Sequence, residues 1–272
     1  MSTLTSPLGR LGWTIADGLT LIGRELARLR QEPGQIVAAL VFPVIMVVLF
    51  GYVFGSAIQV PDGGDYREYL MPGLFAMVTF SAWSGVMTRT AGDASRGVMD
   101  RFRSMPMARL AVPFGQTGAD LLIGLLMLAI MVGTGMLVGW QPHRGLIPTA
   151  LAFLLMIVLR YALSWVGVCV GLAVRNEQVA DAMVPLGLPF TMLSNAFVPT
   201  GGMPDWLRFL ADWNPVSALT AAARELFGNP GAPPGNVAWP LAHPVPAVLL
   251  WSAALLVIFV PLSLRAYLRG GR

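Results

Sequence analysis

The chain has 272 residues, 56% of them hydrophobic and only 12% charged, with a mean hydropathy of +0.67. A soluble domain of this size is about a quarter charged, because water must wet its surface. That class is therefore excluded, and lipid must face much of the chain. The net charge is +4 and every one of the 18 basic residues is arginine. The absence of lysine excludes a complete P-loop, whose lysine reaches nucleotide phosphates, and excludes Schiff-base catalysis.

A single cysteine, Cys169, leaves no internal disulfide and no CxxC site. His143 and His243 have no cysteine or acidic ligand set spaced around them, so no metal site is expected. No Ser/His/Asp set or carboxylate pair converges on one depth, so no catalytic residue is expected either. The calculated pI is about 9.8, yet the arginines segregate by loop as in a membrane protein, and no nucleic-acid partner is expected. The Ala, Gly, Pro and Arg bias is that of a GC-rich bacterial genome.

In chain order, Leu11, Ile15, Leu19, Ile22, Leu26 and Leu29 recur at helical steps, with Arg10, Asp17, Arg24, Glu25 and Arg28 off that face. Ser6-Pro7 reads as N-cap and first helical residue. Residues 1–35 are thus expected to form an amphipathic helix in the cytoplasmic interface, or a helix packed on a partner. No cleavable signal peptide is expected, since this charged helix precedes the first long apolar run.

Six apolar runs follow, each of about the 20 residues that cross a bilayer, at 36–58, 69–88, 118–140, 146–174, 182–199 and 245–268. A charged, helix-compatible segment, 92–113, lies between the second and third. The third and fourth are joined only by Gln141–Gly145 and must be antiparallel. The fifth is the least regular, because Pro185 and Pro189 each remove a backbone donor. Before the last run, 203–228 reads as two helices, 205–212 and 215–227, parted at Asn214-Pro215 and closed by Gly228. Trp206, Leu207, Phe209, Leu210, Leu219, Leu226 and Phe227 are too apolar for a solvated loop, so this hairpin is expected on, or dipping into, the outer leaflet. The predicted fold is an all-α polytopic membrane protein: an interfacial helix, then a six-span domain over 36–272 with an extracellular hairpin.

Orientation follows from arginine. With the N-terminus inside, 13 arginines fall in cytoplasmic segments (10, 24, 28, 30, 89, 96, 101, 103, 109, 175, 265, 269 and 272) and 4 outside (67, 144, 208 and 224). Both termini are therefore expected in the cytoplasm.

Arg160 lies mid-way along the fourth span, where an unpaired arginine costs on the order of 3 kcal/mol. No carboxylate is expected at its depth: Asp120 and Asp181 fall near cytoplasmic ends, and Glu225 or Asp212 reaches it only if the hairpin re-enters. An inter-helix pair and an anionic-substrate contact both remain open. Ser81 and Asn195, with Thr79, Ser84 and Thr191, either line a path or bind helices together. Trp83, Trp165 and Phe190 either stack on a flat ligand or fill the core. Gly167-Val-Cys-Val-Gly171 is a weak close-packing signal.

Three sets of motifs carry a family resemblance. They are Arg30-Gln-Glu-Pro33 with Pro43 and Leu49-Phe-Gly-Tyr-Val-Phe-Gly55, then Arg96-Gly-Val-Met-Asp-Arg-Phe-Arg-Ser-Met-Pro106, then Phe197-Val-Pro199, Met203-Pro-Asp-Trp206, Asn214-Pro215 and Arg224-Glu-Leu-Phe-Gly228. In this order the chain resembles the type-2 ABC transporter permeases, particularly the daunorubicin-resistance branch.

The resemblance implies a bacterial plasma-membrane exporter of drugs, antibiotics or amphipathic metabolites. It would be a dimer with a second permease, identical or paralogous, served by separate cytoplasmic ATP-binding cassette subunits that use ATP and magnesium. It makes Arg96, Gly97, Asp100, Arg101, Phe102 and Pro106 the coupling residues, with Asp93 as a further charge for a partner groove and Phe102 as an anchor; on the residues alone, a solvated positive-inside loop that merely fixes topology stays open. It places Trp206, Asn214, Pro215, Arg224 and Glu225 in the signature around the hairpin. Export of a lipid or lipid-linked glycan is the alternative within the class. An ion-coupled secondary transporter is the alternative outside it, and would want intramembrane acids as proton relays.

Overall fold

The computed structural model describes residues 23, 33–49, 65–99, 111–231 and 238–269. Most of the predicted interfacial helix, the later part of the first predicted span, and Asp100, Arg101, Phe102 and Pro106 lie outside those residues. Among the described residues the fold is all-helical, with no strand.

The helices are α1 (Pro33–Val48), α2 (Tyr66–Phe80), α3 (Ala82–Ser95), α4 (Ala111–Val138), α5 (Leu146–Val174), α6 (Glu177–Met183), α7 (Gly187–Met192), α8 (Asp205–Asp212), α9 (Pro215–Phe227), α10 (Trp239–Ala242) and α11 (Pro244–Arg269). Among the described residues four helical stretches are long and apolar enough to cross a membrane: Tyr66–Ser95, which joins α2 and α3 across Ser81, Val112–Val138, Leu146–Val174 and Pro244–Leu268. The chain is a polytopic helical membrane protein.

α5 is the axis, packing most extensively on α3 and α11 and also touching α2, α4 and α9. Its approach to α3 is set by glycine. A Cβ on Gly167 would collide with the Trp83 carbonyl, and one on Gly171 would stand 2.6 Å from the Met87 carbonyl. The GxxxG of the sequence is thus the seam at which α5 backbone meets α3 backbone. At one end of the bundle, the rings of Phe75, Trp140 and Phe227 meet edge to face at 5.1–6.0 Å. They fasten α2, the α4–α5 turn and α9 into one core.

The fifth predicted span is not a single helix. α6 gives way to a 3₁₀ turn, Val184–Leu186, then to the six-residue α7, and residues 193–199 carry no helix. The cause lies in the sequence, because Pro185 and Pro189 each remove an intrahelical donor. α9 also differs from the expectation. Asn214 caps it by accepting from the Val216 amide, and Gly228 closes it at φ 74°. Yet its residues from Val216 to Phe227 are mostly buried against α2, α5 and α11, so it is bundle core and not a leaflet-facing element. The exposed apolar side chains belong to α8 and the residue after it: Trp206, Phe209, Leu210 and Trp213.

Candidate functional site

Arg160 is 3% exposed and fully engaged. Its Nε lies 3.1 Å from Asp120 Oδ2, its Nη2 donates to Asp120 Oδ1 at 3.1 Å, and its Nη1 donates to the Val78 carbonyl at 2.8 Å. Asp120 also accepts from Arg89 Nη2 at 2.9 Å and lies 3.0 Å from the Ser164 hydroxyl. The expectation that no carboxylate shares the depth of Arg160 is therefore wrong. α4 begins at Ala111 and not at 118, so Asp120 stands about 13 Å inside the helix at 1.5 Å per residue. Gly124, one turn further, leaves room: a Cβ there would run into the Arg160 guanidinium.

One carboxylate thus serves two guanidinium groups, and the cluster carries a net charge of +1. On the same faces of α3 and α4, Thr90 donates to Gln116 at 3.0 Å and Gln116 donates to Asp93 at 3.3 Å. These polar side chains staple α3 to α4 on the side where the predicted coupling segment joins the two helices.

Beside this cluster open two apolar clefts. The first, about 400 Å³, is lined by Met77, Val78, Phe80, Ser81, Trp83, Ser84, Met127 and the broken segment 184–191. The second, about 350 Å³, lies on the other side of Phe80 and Trp83, against Leu163, Val166, Phe190, Trp251, Leu255 and Phe259. Both fall in the size range of drug-binding cavities. Phe80 stacks on Phe190 at 5.7 Å with the rings 10° from parallel. Among the lining residues the polar side-chain groups are the hydroxyls of Ser81, Ser84 and Thr191 and the indole N–H groups of Trp83 and Trp251. The Val78 carbonyl is shared: the Ser81 hydroxyl and Arg160 Nη1 each donate to it at 2.8 Å.

Of the predicted path residues, Ser81 lines a cleft, while Arg160 stands one carbonyl behind its wall and Asn195 lies elsewhere. Of the predicted stacking aromatics, Trp83 and Phe190 line the clefts. Trp165 is fully buried, packed edge-on against Phe114 and Tyr161.

Asn195 belongs to a second buried cluster. Arg224, 2% exposed, makes four hydrogen bonds to three carbonyls, those of Tyr69, Asn195 and Ala196, at 2.9–3.1 Å. Its guanidinium lies 3.5 Å above the Tyr69 ring. Burial pulls its pKa below the ordinary value, and Tyr69 and Tyr66 act against that shift. Asn214 Nδ2 donates to the Phe190 and Leu193 carbonyls, and the Tyr66 and Tyr69 hydroxyls donate to those of Phe197 and Asn195. The carbonyls that the broken segment frees are thus met by side chains of α9, of α2 and of Asn214. That is what buried non-helical backbone in a membrane protein requires. Sequence reading placed Asn214 and Arg224 in the signature; it missed that they clamp the segment before them. Trp206 and Glu225 are exposed, and Pro215 is the first residue of α9.

Of the predicted coupling residues, Arg96 is half-exposed and pairs with Glu177 of α6 at 3.2 Å. Gly97 sits at φ 67°, a turn that favours glycine. Asp93 had been expected to face a partner. It is 3% exposed and turned into the α3–α4 seam, because α4 presents Gln116 to it.

Fold and site together define an integral membrane protein that encloses apolar clefts beside a buried charge cluster. The chain belongs to the ABC-2 type transporter family, whose model matches residues 18–227. It is 31% identical to the daunorubicin resistance ABC transporter permease protein DrrB1 of Streptomyces coeruleorubidus, over 93% of this chain and 86% of that protein. It is 30% identical to the doxorubicin resistance ABC transporter permease protein DrrB of Mycobacterium tuberculosis, over 83% of this chain and 80% of that protein. The chain is a permease subunit of an ABC transporter.

Proposed function

We propose that this permease exports drugs or similar hydrophobic and amphipathic compounds from a bacterial cell. It acts in the plasma membrane with a second permease and with separate ATPase subunits that bind ATP and magnesium. The observation that carries this reading is the likeness, over nearly the whole chain, to permeases named for daunorubicin and doxorubicin resistance. The two drug-sized apolar clefts support it. In this reading six segments cross the membrane, with α1 in the first and the broken α6–α7 stretch in the fifth. Both termini face the cytoplasm and the α8–α9 hairpin lies at the outer face. The chain itself performs no catalysis; force arrives through the segment 92–113.

An ion-coupled mechanism finds little support. Among the described residues the buried acids are Asp93, Asp120 and Asp212. Asp120 is held between two arginines, Asp93 accepts from Gln116, and Asp212 accepts from Thr200 and pairs with Arg208. A proton relay needs an acid free to exchange.

The test is to co-purify the permease with its ATPase, reconstitute both in liposomes and add doxorubicin. Drug-stimulated ATP hydrolysis with ATP-dependent drug uptake is expected. Stimulation by a lipid-linked glycan, with none by drugs, would transfer the reading to lipid export.

A further inference from the structure

Arg96 closes α3 where the predicted coupling segment begins, and Glu177 opens α6; their side chains meet at 3.2 Å. Gly92 makes room for the pair. A Cβ there would lie 2.7 Å from Arg96 Nη2 and 3.0 Å from the Glu177 carboxyl carbon, so the two charges rest on bare α3 backbone. The entry to α6 is tight. Arg175 takes a left-handed φ of 51°, and the Asn176 side chain caps α6 by accepting from the Gln178 and Val179 amides. From there α6 lies along α3, with Ala180 packed among Ala91 and Met87. It then runs through Val184–Leu186 into α7, whose Gly187 lies against the Trp83 indole and whose Phe190 stacks on Phe80. At its far end the stretch is fixed by Asn214, which donates to the Phe190 and Leu193 carbonyls. One wall of the first cleft, residues 184–191, is thus held between two ties, and the Arg96–Glu177 pair is the one on the coupling side.

We propose that the Arg96–Glu177 pair is the tie through which ATPase motion reaches the clefts. Glu177 is a positioning residue, and α6 is the lever that it moves. The proposal rests on the reading that segment 92–113 receives the force. The two side chains are 48% and 41% exposed, so the pair adds little to stability. What it decides is whether the start of α6 follows the end of α3 when that end is displaced. Packing of α6 on α3 and the short connection to α7 then carry the displacement to the cleft wall. Its effect therefore falls on coupling, where stability measurements do not see it.

The experiment uses the permease–ATPase complex reconstituted in liposomes, with doxorubicin as the probe. Doxorubicin transported per ATP hydrolysed is expected to fall about fivefold in Glu177→Arg, with the Tm of the complex unchanged. Arg96→Glu combined with Glu177→Arg restores opposite charges and should recover most of the loss. A second readout needs no cargo. In a Cys169→Ser background, Leu188→Cys on the cleft wall should react with N-ethylmaleimide at a rate that changes when ATP is added. Adding Glu177→Arg should abolish that change. A transport ratio unmoved by Glu177→Arg, or a charge swap that hydrolyses ATP without recovery, overturns the tie. So does a Tm that falls in step with the ratio, which makes the pair merely structural. A labelling rate that ATP never changes, or that still changes in Glu177→Arg, overturns it as well. If the unsubstituted complex moves no doxorubicin, the exporter reading falls and the labelling alone decides the tie.

Discussion

Asp120 is the residue on which two arginines depend, the buried Arg160 and the partly exposed Arg89. Removing it strands both guanidinium groups, whereas removing Arg160 leaves Asp120 still paired with Arg89. Breaking a buried pair from one side costs about 3–5 kcal/mol, while replacing both partners by apolar groups is often neutral. Asp120→Ala is therefore expected to lower abundance in the membrane far more than Arg160→Met, and Asp120→Leu with Arg160→Met to recover above Asp120→Ala. Immunoblots of membranes at matched induction decide this, and equal abundance of all three would refute it. Arg224 makes a different demand, since its fork spans three carbonyls and a lysine ammonium cannot cover them. Arg224→Lys should lose about 2 kcal/mol, seen as a lower Tm of the complex in detergent. An unchanged Tm would mean that the carbonyls find other donors. Sequence exposed the depth of Arg160 but hid its partner, for a physical reason. Gln116, Thr117 and Asp120 read as a wetted helix end, because hydropathy equates polarity with water contact. Here neighbouring helices supply the hydrogen bonds instead.

At the scale of elements, the ends of α5 and α9 were legible because local chemistry sets them. Pro215 fixes the first turn of α9, Asn214 caps it, and Gly228 takes the left-handed φ that ends it. What α9 packs against was not legible, since burial of Ala218, Ala222 and Arg224 is a tertiary fact with no local signature. The broken α6–α7 stretch was half legible: the prolines announced trouble, but the distant side chains that satisfy the freed carbonyls did not. The α3–α5 seam makes a sharper claim. An added methyl at Gly171 would meet the Met87 carbonyl, whereas one at Gly133 meets nothing within 4 Å. Gly171→Ala is expected to destabilise by about 1–3 kcal/mol, as overpacking does, and Gly133→Ala to be neutral or slightly stabilising. Thermal unfolding of the two variants in parallel checks this; an equal effect would dissolve the seam. For the coupling segment the expectation rests on sequence. Phe102→Ala changes no charge and so leaves topology alone. It should cost about 2 kcal/mol or more of ATPase affinity if Phe102 is a buried anchor. Undiminished co-purification and transport would remove it from that role.

For the whole molecule, topology depends on where arginine is allowed to stand. Arginines beside short loops resist translocation, and the six-span reading puts 13 of them on one side against 4 on the other. Four long apolar helices are described, and with α1 and the α6–α7 stretch as further crossings the count is six, an even number that returns the chain to its starting side. The odd element is α6–α7, because a segment broken at Val184–Leu186 either crosses or turns back. If it crosses, 92–113 and both termini share the cytoplasm, while the connection around Gly231 is outside. If it turns back, Gly231 lies on the same side as the α5–α6 junction. Single cysteines separate these geometries once Cys169 is changed to serine. Ser2→Cys, Ser104→Cys and Gly271→Cys should stay protected from a membrane-impermeant thiol reagent in intact cells and react after permeabilisation. Gly231→Cys should react at once, since a side chain there meets nothing within 4 Å. Protection of Gly231→Cys with Ser104→Cys also protected would show that the broken segment is re-entrant. Labelling of Ser104→Cys from outside would invert the protein, and with it the side on which an ATPase could deliver force.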